Sequence, residues 1–165
     1  MTVTRAGRLQ LFAVMAILLV LQFYLRPRLW ASPVSPDFLF IALMLYAMRS
    51  RPGAGALAGF IVGLVADSLT PARFGAAALA HSFVGYLGSW SRALFFSDNL
   101  LVNAAFIAAG LWVRNLMVLM ASGAAGGALV TELLVYAPIQ ALTTAGFAVL
   151  VLLVFREWFA IRLDI

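Results

Sequence analysis

Apolar stretches close to twenty residues in length recur along the whole of this 165-residue chain. Five are clear, and they cover residues 9–25, 53–70, 74–90, 100–121 and 129–155. A helix needs about twenty predominantly apolar residues to cross the roughly 30 Å hydrocarbon core of a bilayer. The pattern therefore predicts an all-α integral membrane protein, with residues 1–165 forming a single transmembrane domain.

The composition supports a membrane location. Hydrophobic residues make up 65% of the chain, charged residues 10%, and the mean hydropathy is +1.06, whereas soluble domains are close to half apolar. These values exclude an extramembrane enzyme, a nucleic-acid-binding protein and a disordered tail. All 11 basic residues are arginine, and most lie beside apolar segments. We therefore interpret the net charge of +5 as a marker of cytoplasmic helix ends.

A sixth apolar segment, residues 38–48, is too short to cross a bilayer by itself. It spans only if the residues before it supply the outer end, which gives a predicted second helix over residues 33–48. Pro36 and Asp37 favour a helix start, because proline's missing N–H costs nothing there and the helix dipole stabilises a carboxylate. The six predicted helices then cover approximately residues 9–25, 33–48, 53–70, 74–90, 100–121 and 129–155.

The distribution of arginines does not decide between two topologies. Six spans with a cytoplasmic N-terminus and five spans with an external N-terminus both place seven arginines inside and three outside. We favour six spans, because Arg5 and Arg8 lie close to the first helix and Trp30 offers an interfacial anchor beyond it. Both termini are then cytoplasmic. No small-residue cleavage site follows the first helix, so we expect it to be retained rather than removed as a signal peptide.

Glycines recur every four residues in the third segment, at Gly55, Gly59 and Gly63. Helices associate closely in lipid where small residues let their backbones approach. The fourth segment carries a matching stripe on one helical face: Ala78, His81, Gly85 and Gly88. We expect these two faces to pack against each other. The alternative is that the glycine ridge is a docking groove for a transmembrane helix of another protein.

Four ionisable residues lie within apolar segments: Asp67, His81, Arg114 and Glu132. Counting about 1.5 Å per residue in the six-span topology puts all four in the outer half of the bilayer, with Asp67 and Arg114 at one depth. A charged side chain at the helix centre costs about 2.5 to 3.5 kcal/mol unless it is paired. We therefore predict a buried Asp67–Arg114 ion pair, with His81 and Glu132 as neighbours.

Three interpretations of these four residues are open at this point. The first is a structural group of bonded polar side chains that fixes the helices in register. The second is a site for a small ligand or a polar partner helix, and the third is a relay for protons or ions. Catalysis is not expected. The chain has no cysteine, its single histidine cannot build a histidine-rich metal centre, and hydrolase and phosphate-binding motifs are absent. We predict no catalytic residue, no metal and no cofactor.

The order of features between Ser35 and Trp90 resembles the rod shape-determining protein MreD family. These features are a proline–aspartate helix start, arginines after the second helix, glycines in the third, an aspartate at its end, and a glycine after the next turn. The residues that carry the resemblance are Pro36, Asp37, Asp67, Gly75, Gly85 and Tyr86, together with Gly59 and Gly63. The rest of the chain agrees with the family in length and hydropathy.

The resemblance implies a six-transmembrane-helix bundle similar to the substrate-binding S-components of energy-coupling vitamin transporters. It also implies a non-enzymatic inner-membrane component of the bacterial cell-elongation complex, which binds MreC. Through MreC it is linked to MreB, RodA and a class B penicillin-binding transpeptidase. Such a component helps to control peptidoglycan synthesis and cell shape, with membrane lipids as its other contacts.

Two other functions compete with this one. The chain is either a true S-component of a vitamin transporter, with the outer-half ionisable residues as its ligand site, or an ion-coupled carrier. The short outer connections argue against the S-component. The lack of carboxylates spread through the depth of the membrane argues against the carrier.

Overall fold

A computed structural model of the chain describes residues 5–28, 33–68, 74–91, 100–123 and 126–155. Within these ranges the regular secondary structure is helical, which confirms the all-α prediction. Six helices follow one another there: α1 (Arg5–Val20, continued by a π-helical turn over Leu21–Leu25), α2 (Phe38–Ala47), α3 (Pro52–Ser68), α4 (Ala76–Ser91), α5 (Leu100–Ala121) and α6 (Gly126–Thr131, a π-helical turn over Glu132–Tyr136, and Ala137–Val154).

Two helical stretches in the described part of the chain are long and apolar enough to cross a membrane unaided, Leu100–Ala121 and Leu129–Val154. Three further apolar helices are shorter: Leu9–Leu25, Phe38–Ala47 and Pro52–Ser68. Length and composition alone thus support two spans rather than the six predicted from the sequence. Crossing by the other helices depends on their packing within the bundle.

Helix α2 is shorter than the predicted helix over residues 33–48. Residues 33–37 are not helical, and the ten residues of α2 make about 15 Å of helix. Pro36 disfavours the helical conformation at Ser35, and Asp37 has extended backbone angles (φ −99°, ψ 91°). The predicted helix start at Asp37 is confirmed, because its carboxylate accepts a hydrogen bond from the N–H of Phe40.

Helix α2 lies at the centre of the packing. Every residue from Phe38 to Leu45 is at most 4% exposed, so the other helices cover it on all sides. A helix that is apolar around its whole circumference is a buried helix. The side chains packed in the same core come from α1, α4, α5 and α6: Val14, Leu18, Val84, Ile107, Leu111, Ala148, Val151 and Leu152.

Helices α3 and α4 pack backbone against backbone. Cβ atoms added at Gly55, Gly59 or Gly63 would collide with atoms of α4. At Gly59 the obstacle is the backbone of His81, and at Gly55 it is the carbonyl of Gly85 together with a serine hydroxyl. The structure thus brings the two predicted faces together, and α4 covers the glycine ridge that was considered as a docking groove.

The last member of the α4 stripe faces a different helix. A Cβ atom at Gly88 would lie 3.3 Å from the Cβ of Ala47 and 3.4 Å from Cε of Met44, both in α2. The neighbouring Ser89 donates its hydroxyl to the carbonyl of Ala47 (2.8 Å). Helix α4 therefore packs against α3 with most of the stripe and against the end of α2 with its last turn.

Trp112 joins the middle of α5 to the π-helical turn of α6. In that turn the N–H of Ala137 bonds to the carbonyl of Glu132, five residues earlier. The next residue, Pro138, has no N–H, so it cannot make the equivalent bond to the carbonyl of Leu133. The indole N–H of Trp112 donates to that carbonyl instead (3.2 Å). A side chain of α5 thus supplies the hydrogen-bond donor that the backbone of α6 lacks at this position.

Candidate functional site

Polar side chains from several helices meet at the start of α2, inside the bundle. This group is called the polar cluster here, and its members are Gln22, Asp37, His81, Arg114, Asn115 and Gln140. All but Asn115 and Arg114 are buried, and the side chain of Arg114 is 15% exposed. Polar groups at such a position in a membrane protein are stable only when they bond to one another or to backbone groups.

Gln22 and Asp37 satisfy the first turn of α2. The Oε1 atom of Gln22 accepts hydrogen bonds from the N–H groups of Phe38 (3.0 Å) and Leu39 (3.3 Å). Oδ1 of Asp37 accepts the next one, from Phe40 (3.0 Å). The first N–H groups of a helix have no partner within the helix, and lipid offers none. These two side chains therefore allow α2 to begin inside the bundle.

Helix α6 supports the non-helical residues that precede α2. Non-helical backbone at membrane depth is tolerated only where protein covers it and satisfies its polar groups. Three side chains of α6 bond to this backbone: Thr144 Oγ1 accepts from the N–H of Asp37 (3.1 Å), while Thr143 Oγ1 and Gln140 Nε2 donate to the carbonyls of Val34 (2.9 Å) and Ser35 (3.3 Å). Residues 34–37 are thereby fixed to α6.

An ion pair connects the start of α2 to α5. Nη2 of Arg114 lies 3.4 Å from Oδ2 of Asp37. Nη1 of Arg114 donates to Oδ1 of Asn115 (2.7 Å), and Nδ2 of Asn115 donates to Oε1 of Gln140 (2.8 Å). Because Gln140 also holds the backbone before α2, the chain of bonds runs from α2 through α5 to α6 and returns to the residues before α2.

Asp67 has a separate role as the cap of α4. Its carboxylate is 1% exposed. Its Oδ2 accepts from the N–H groups of Gly75 (3.0 Å) and Ala78 (2.9 Å), and its Oδ1 accepts from Ala77 (3.0 Å). Gly75 adopts a positive φ of 97°, which glycine allows without strain and which brings its N–H to the carboxylate. The negative charge of Asp67 thus lies at the positive end of α4.

The predicted Asp67–Arg114 ion pair is wrong. The oxygens of Asp67 are occupied by backbone N–H groups of Gly75 and of the first turn of α4, and the guanidinium of Arg114 pairs with Asp37 instead. Equal depth along two helices does not fix the direction in which their side chains point. The prediction also treated Asp37 only as a helix start, so the carboxylate closest to Arg114 was left out.

His81 lies fully buried between α4 and α2. Its Nδ1 is 2.7 Å from the carbonyl of Ala77, an acceptor, so Nδ1 carries the proton and donates. The ring meets Phe40 edge to face, with centroids 6.0 Å apart. Phe40 in turn donates its backbone N–H to Asp37, the partner of Arg114. His81 is therefore counted with the polar cluster through its contact with Phe40.

Glu132 lies apart from this group. It is half-buried in the π-helical turn of α6, and among the described residues its side chain makes no hydrogen bond or ion pair with Asp67, His81 or Arg114. The described residues also contain no group of three His, Asp or Glu side chains that could hold a metal ion. The expected four-member cluster is thus replaced by two sites, the polar cluster and the Asp67 cap.

Comparison with known proteins identifies the family. The family model for the rod shape-determining protein MreD matches residues 4–158. The chain belongs to the MreD family. It is therefore a helical membrane protein of a non-enzymatic, rod shape-determining family. No curated protein and no solved structure matches the chain, so the implied likeness to vitamin-transporter S-components is without support.

The residues that suggested the MreD family have clear structural positions. Asp37 caps α2 and pairs with Arg114, and Pro36 precedes it in the buried non-helical segment. The carboxylate of Asp67, at the end of α3, accepts a hydrogen bond from the N–H of Gly75, just before α4. The remaining two lie on different faces of α4: Gly85 is buried against the backbone of Gly55, and Tyr86 is exposed on the outer surface of the bundle.

Four polar residues at this site were missed in the sequence of this MreD-family chain: Gln22, Asn115, Gln140 and Thr144. The predicted cluster was built from ionisable residues only. The available signal was the presence of uncharged amides inside apolar segments, because an amide in lipid also requires hydrogen-bond partners. Gln22 and Gln140 each interrupt a predicted span and each bond to the backbone around the start of α2.

Proposed function

We propose that the chain is a non-enzymatic component of the bacterial cell-elongation complex in the inner membrane. It binds MreC there and helps to control peptidoglycan synthesis and cell shape, with MreB, RodA and a class B penicillin-binding transpeptidase reached through MreC. The observation that carries this proposal is the family match over residues 4–158. The bonding of the polar cluster supports it, because inward-facing polar groups leave apolar helix surfaces for contact with other membrane proteins.

We further propose six membrane spans with both termini in the cytoplasm. The short helix α2 is the difficult element, since its ten residues make only about 15 Å of helix. The buried residues 35–37 extend it toward the outer surface, and side chains of α6 satisfy their backbone groups. Gln22 of α1 accepts the N–H groups of the next two residues, Phe38 and Leu39. This arrangement meets the condition under which non-helical backbone lies within a membrane.

The surface that we assign to MreC is the outer face of α4. Four large side chains are exposed there at spacings of four, three and four residues, which places them on one side of the helix: Leu79, Phe83, Tyr86 and Trp90. This group is called the α4 aromatic face. It points away from the glycine contacts with α3, so MreC can occupy it without disturbing the hairpin of α3 and α4.

Tyr86 is the feature that distinguishes this face from a surface suited only to lipid. Its side chain is 47% exposed, and its hydroxyl has no hydrogen-bond partner among the described residues. Tyr86 lies about 15 Å from the start of α4 and about 8 Å from its end, so the six spans proposed above put its hydroxyl within the hydrocarbon region. A phenol hydroxyl without a partner in hydrocarbon is unfavourable. A membrane helix of MreC with a hydrogen-bond acceptor at this level removes that cost.

Photo-crosslinking during co-expression with MreC tests both the partner and the face. A photoreactive amino acid at Phe83 is expected to cross-link to MreC. The same amino acid at Leu150, on the exposed surface of α6, is the matched control, since the two positions are similarly exposed (46% and 56%). Cross-linking from Leu150 alone would move the contact to α6. Absence of cross-linking from both positions, together with absence of co-purification, would contradict binding to MreC.

The vitamin-transporter alternative gains no support from the described residues. A polar ligand would need the amide groups of the cluster, but Gln22, Asn115 and Gln140 bond to backbone groups and to one another. These side chains therefore stabilise the start of α2 and are not available as the main ligand contacts of a vitamin site.

A further inference from the structure

Two buried polar atoms of the polar cluster lack hydrogen-bond partners. They are Nε2 of His81 and Nε of Arg114, and neither bonds to any group in the described part of the chain. The neighbouring atoms of the same side chains are well bonded, since Nδ1 of His81 donates to Ala77 and both terminal nitrogens of Arg114 have partners. A buried polar atom without a partner loses the full free energy of its hydration. In native proteins such atoms commonly bond to ordered water.

The two atoms have opposite hydrogen-bonding capacities. Because Nδ1 of His81 carries the proton, Nε2 presents a lone pair and can only accept. Nε of Arg114 carries a hydrogen and can only donate. Both side chains reach the first turn of α2, because the ring of His81 contacts the ring of Phe40 and the guanidinium of Arg114 pairs with Asp37, which caps that turn. A group that satisfies both must therefore donate one hydrogen bond and accept another.

This requirement selects the chemical class of the occupant. A metal cation is excluded by the positive charge of Arg114 next to it. A fully deprotonated anion cannot donate to His81, and any anion would lie beside the carboxylate of Asp37, which pairs with Arg114. A hydroxyl group both donates and accepts and carries no charge. Water is the smallest molecule with this property and the one that enters buried polar sites in proteins.

We propose that the polar cluster contains a hydration site, in which bound water donates to Nε2 of His81 and accepts from Nε of Arg114. The water completes the bonding of α4 and α5 next to the start of α2. It is then a structural member of the cluster rather than bulk solvent. The site differs from the proposed MreC contact, which lies on the opposite, outward face of α4.

The composition of the chain makes a direct test possible, because His81 is its single histidine. The full chain, labelled with ¹⁵N-histidine and placed in lipid bilayers, gives imidazole signals from this residue alone in solid-state NMR. We expect a neutral ring protonated at Nδ1, an Nε2 signal typical of a hydrogen-bond acceptor, and magnetisation transfer from water to the ring. An Nε2 signal typical of a free nitrogen without transfer from water would overturn the proposal, as would a ring protonated at Nε2.

A variant tests whether Arg114 shares the water. Arg114→Lys keeps the positive charge but removes the Nε donor, so we expect loss or clear weakening of the transfer from water to His81. Ser89→Ala, near the other end of α4, is the matched control and should leave the His81 signals unchanged. Unchanged transfer in Arg114→Lys would overturn the shared site. If this variant fails to fold, the measurement on the unaltered chain still decides whether His81 binds water.

Discussion

Asp37 and Arg114 form an ion pair, 3.4 Å long, between the residue before α2 and the middle of α5. The same carboxylate also caps α2, because its Oδ1 accepts from the N–H of Phe40 while its Oδ2 faces the guanidinium. One side chain thus determines both where α2 begins and how α5 lies against it. Removing the charge of either partner leaves the other charge without its counterion in the interior.

The first prediction follows from this pair. Asp37→Asn or Arg114→Leu alone should lower the free energy of unfolding by about 3 to 5 kcal/mol, and by less where water reaches the remaining charge. Asparagine still accepts the bond from Phe40, so Asp37→Asn removes mainly the charge. The double variant should recover much of the loss. Thermal melting of the four proteins in detergent measures the coupling.

A second cycle provides the control for the first. Asp67→Asn combined with Arg114→Leu should give nearly additive losses, since Asp67 bonds to the backbone of α4 and does not contact Arg114. Additive losses in the Asp37 cycle would mean that Asp37 and Arg114 do not interact. Strong coupling in the Asp67 cycle would restore the ion pair that the sequence suggested.

The second prediction concerns the cap of α4. Asp67→Ala removes the acceptor of three backbone N–H groups and should lower the free energy of unfolding by at least about 2 kcal/mol. Amide hydrogen exchange at Ala77 and Ala78 should accelerate, because these N–H groups lose their partner. Ser68→Ala, at the exposed neighbouring position, should have little effect. Equal exchange rates in both variants would mean that Asp67 does not cap the helix.

The third prediction tests the close contact of α3 and α4. Gly59→Ala places a methyl group against the backbone of His81, which cannot move aside as a flexible side chain can. We expect a loss of about 1 to 3 kcal/mol and lower recovery of folded protein. Gly146→Ala in α6 is the matched control: its Cβ meets nothing within 4 Å, and alanine favours helix by up to about 1 kcal/mol. A Gly59→Ala protein that melts like the control would show that the helices are farther apart.

The fourth prediction concerns topology. The chain has no cysteine, so single cysteines can be introduced directly. In intact cells a cysteine at Thr4 should resist a membrane-impermeant thiol reagent, whereas one at Ser32 should react, because six spans place these positions on opposite sides. Both positions lie outside the described residues. Labelling at Thr4 together with protection at Ser32 would favour five spans with an external N-terminus.

Sequence periodicity predicted the parts of the fold that depend on position along a helix. Glycines at intervals of four identified the face of α3 that meets α4. This inference succeeds because the geometry of an isolated helix determines which residues share a face.

The partners of the ionisable residues depend on how the helices are rotated against one another, and periodicity carries no information on this. Arg114 pairs with Asp37, which is not part of a regular helix. The backbone of residues 34–39 donates to Gln22 and Thr144 and accepts from Gln140 and Thr143, which lie on two different helices. The length of α2 was overestimated for the same reason. Its non-helical outer end is stable only because these distant side chains bond to it.

The bond between the N–H of Asp37 and Thr144 has a consequence for the order of synthesis, since it joins residues 107 positions apart. The start of α2 leaves the ribosome long before the part of α6 that completes its bonding. During that interval the second segment is a poor substrate for membrane insertion, because backbone N–H and C=O groups of residues 34–37 have no partner from α6 and the carboxylate of Asp37 is not yet paired with Arg114. We expect it to enter the bilayer in its final position only after α5 and α6 are made. Chains truncated before Gln140 should therefore be preferred targets of membrane proteases.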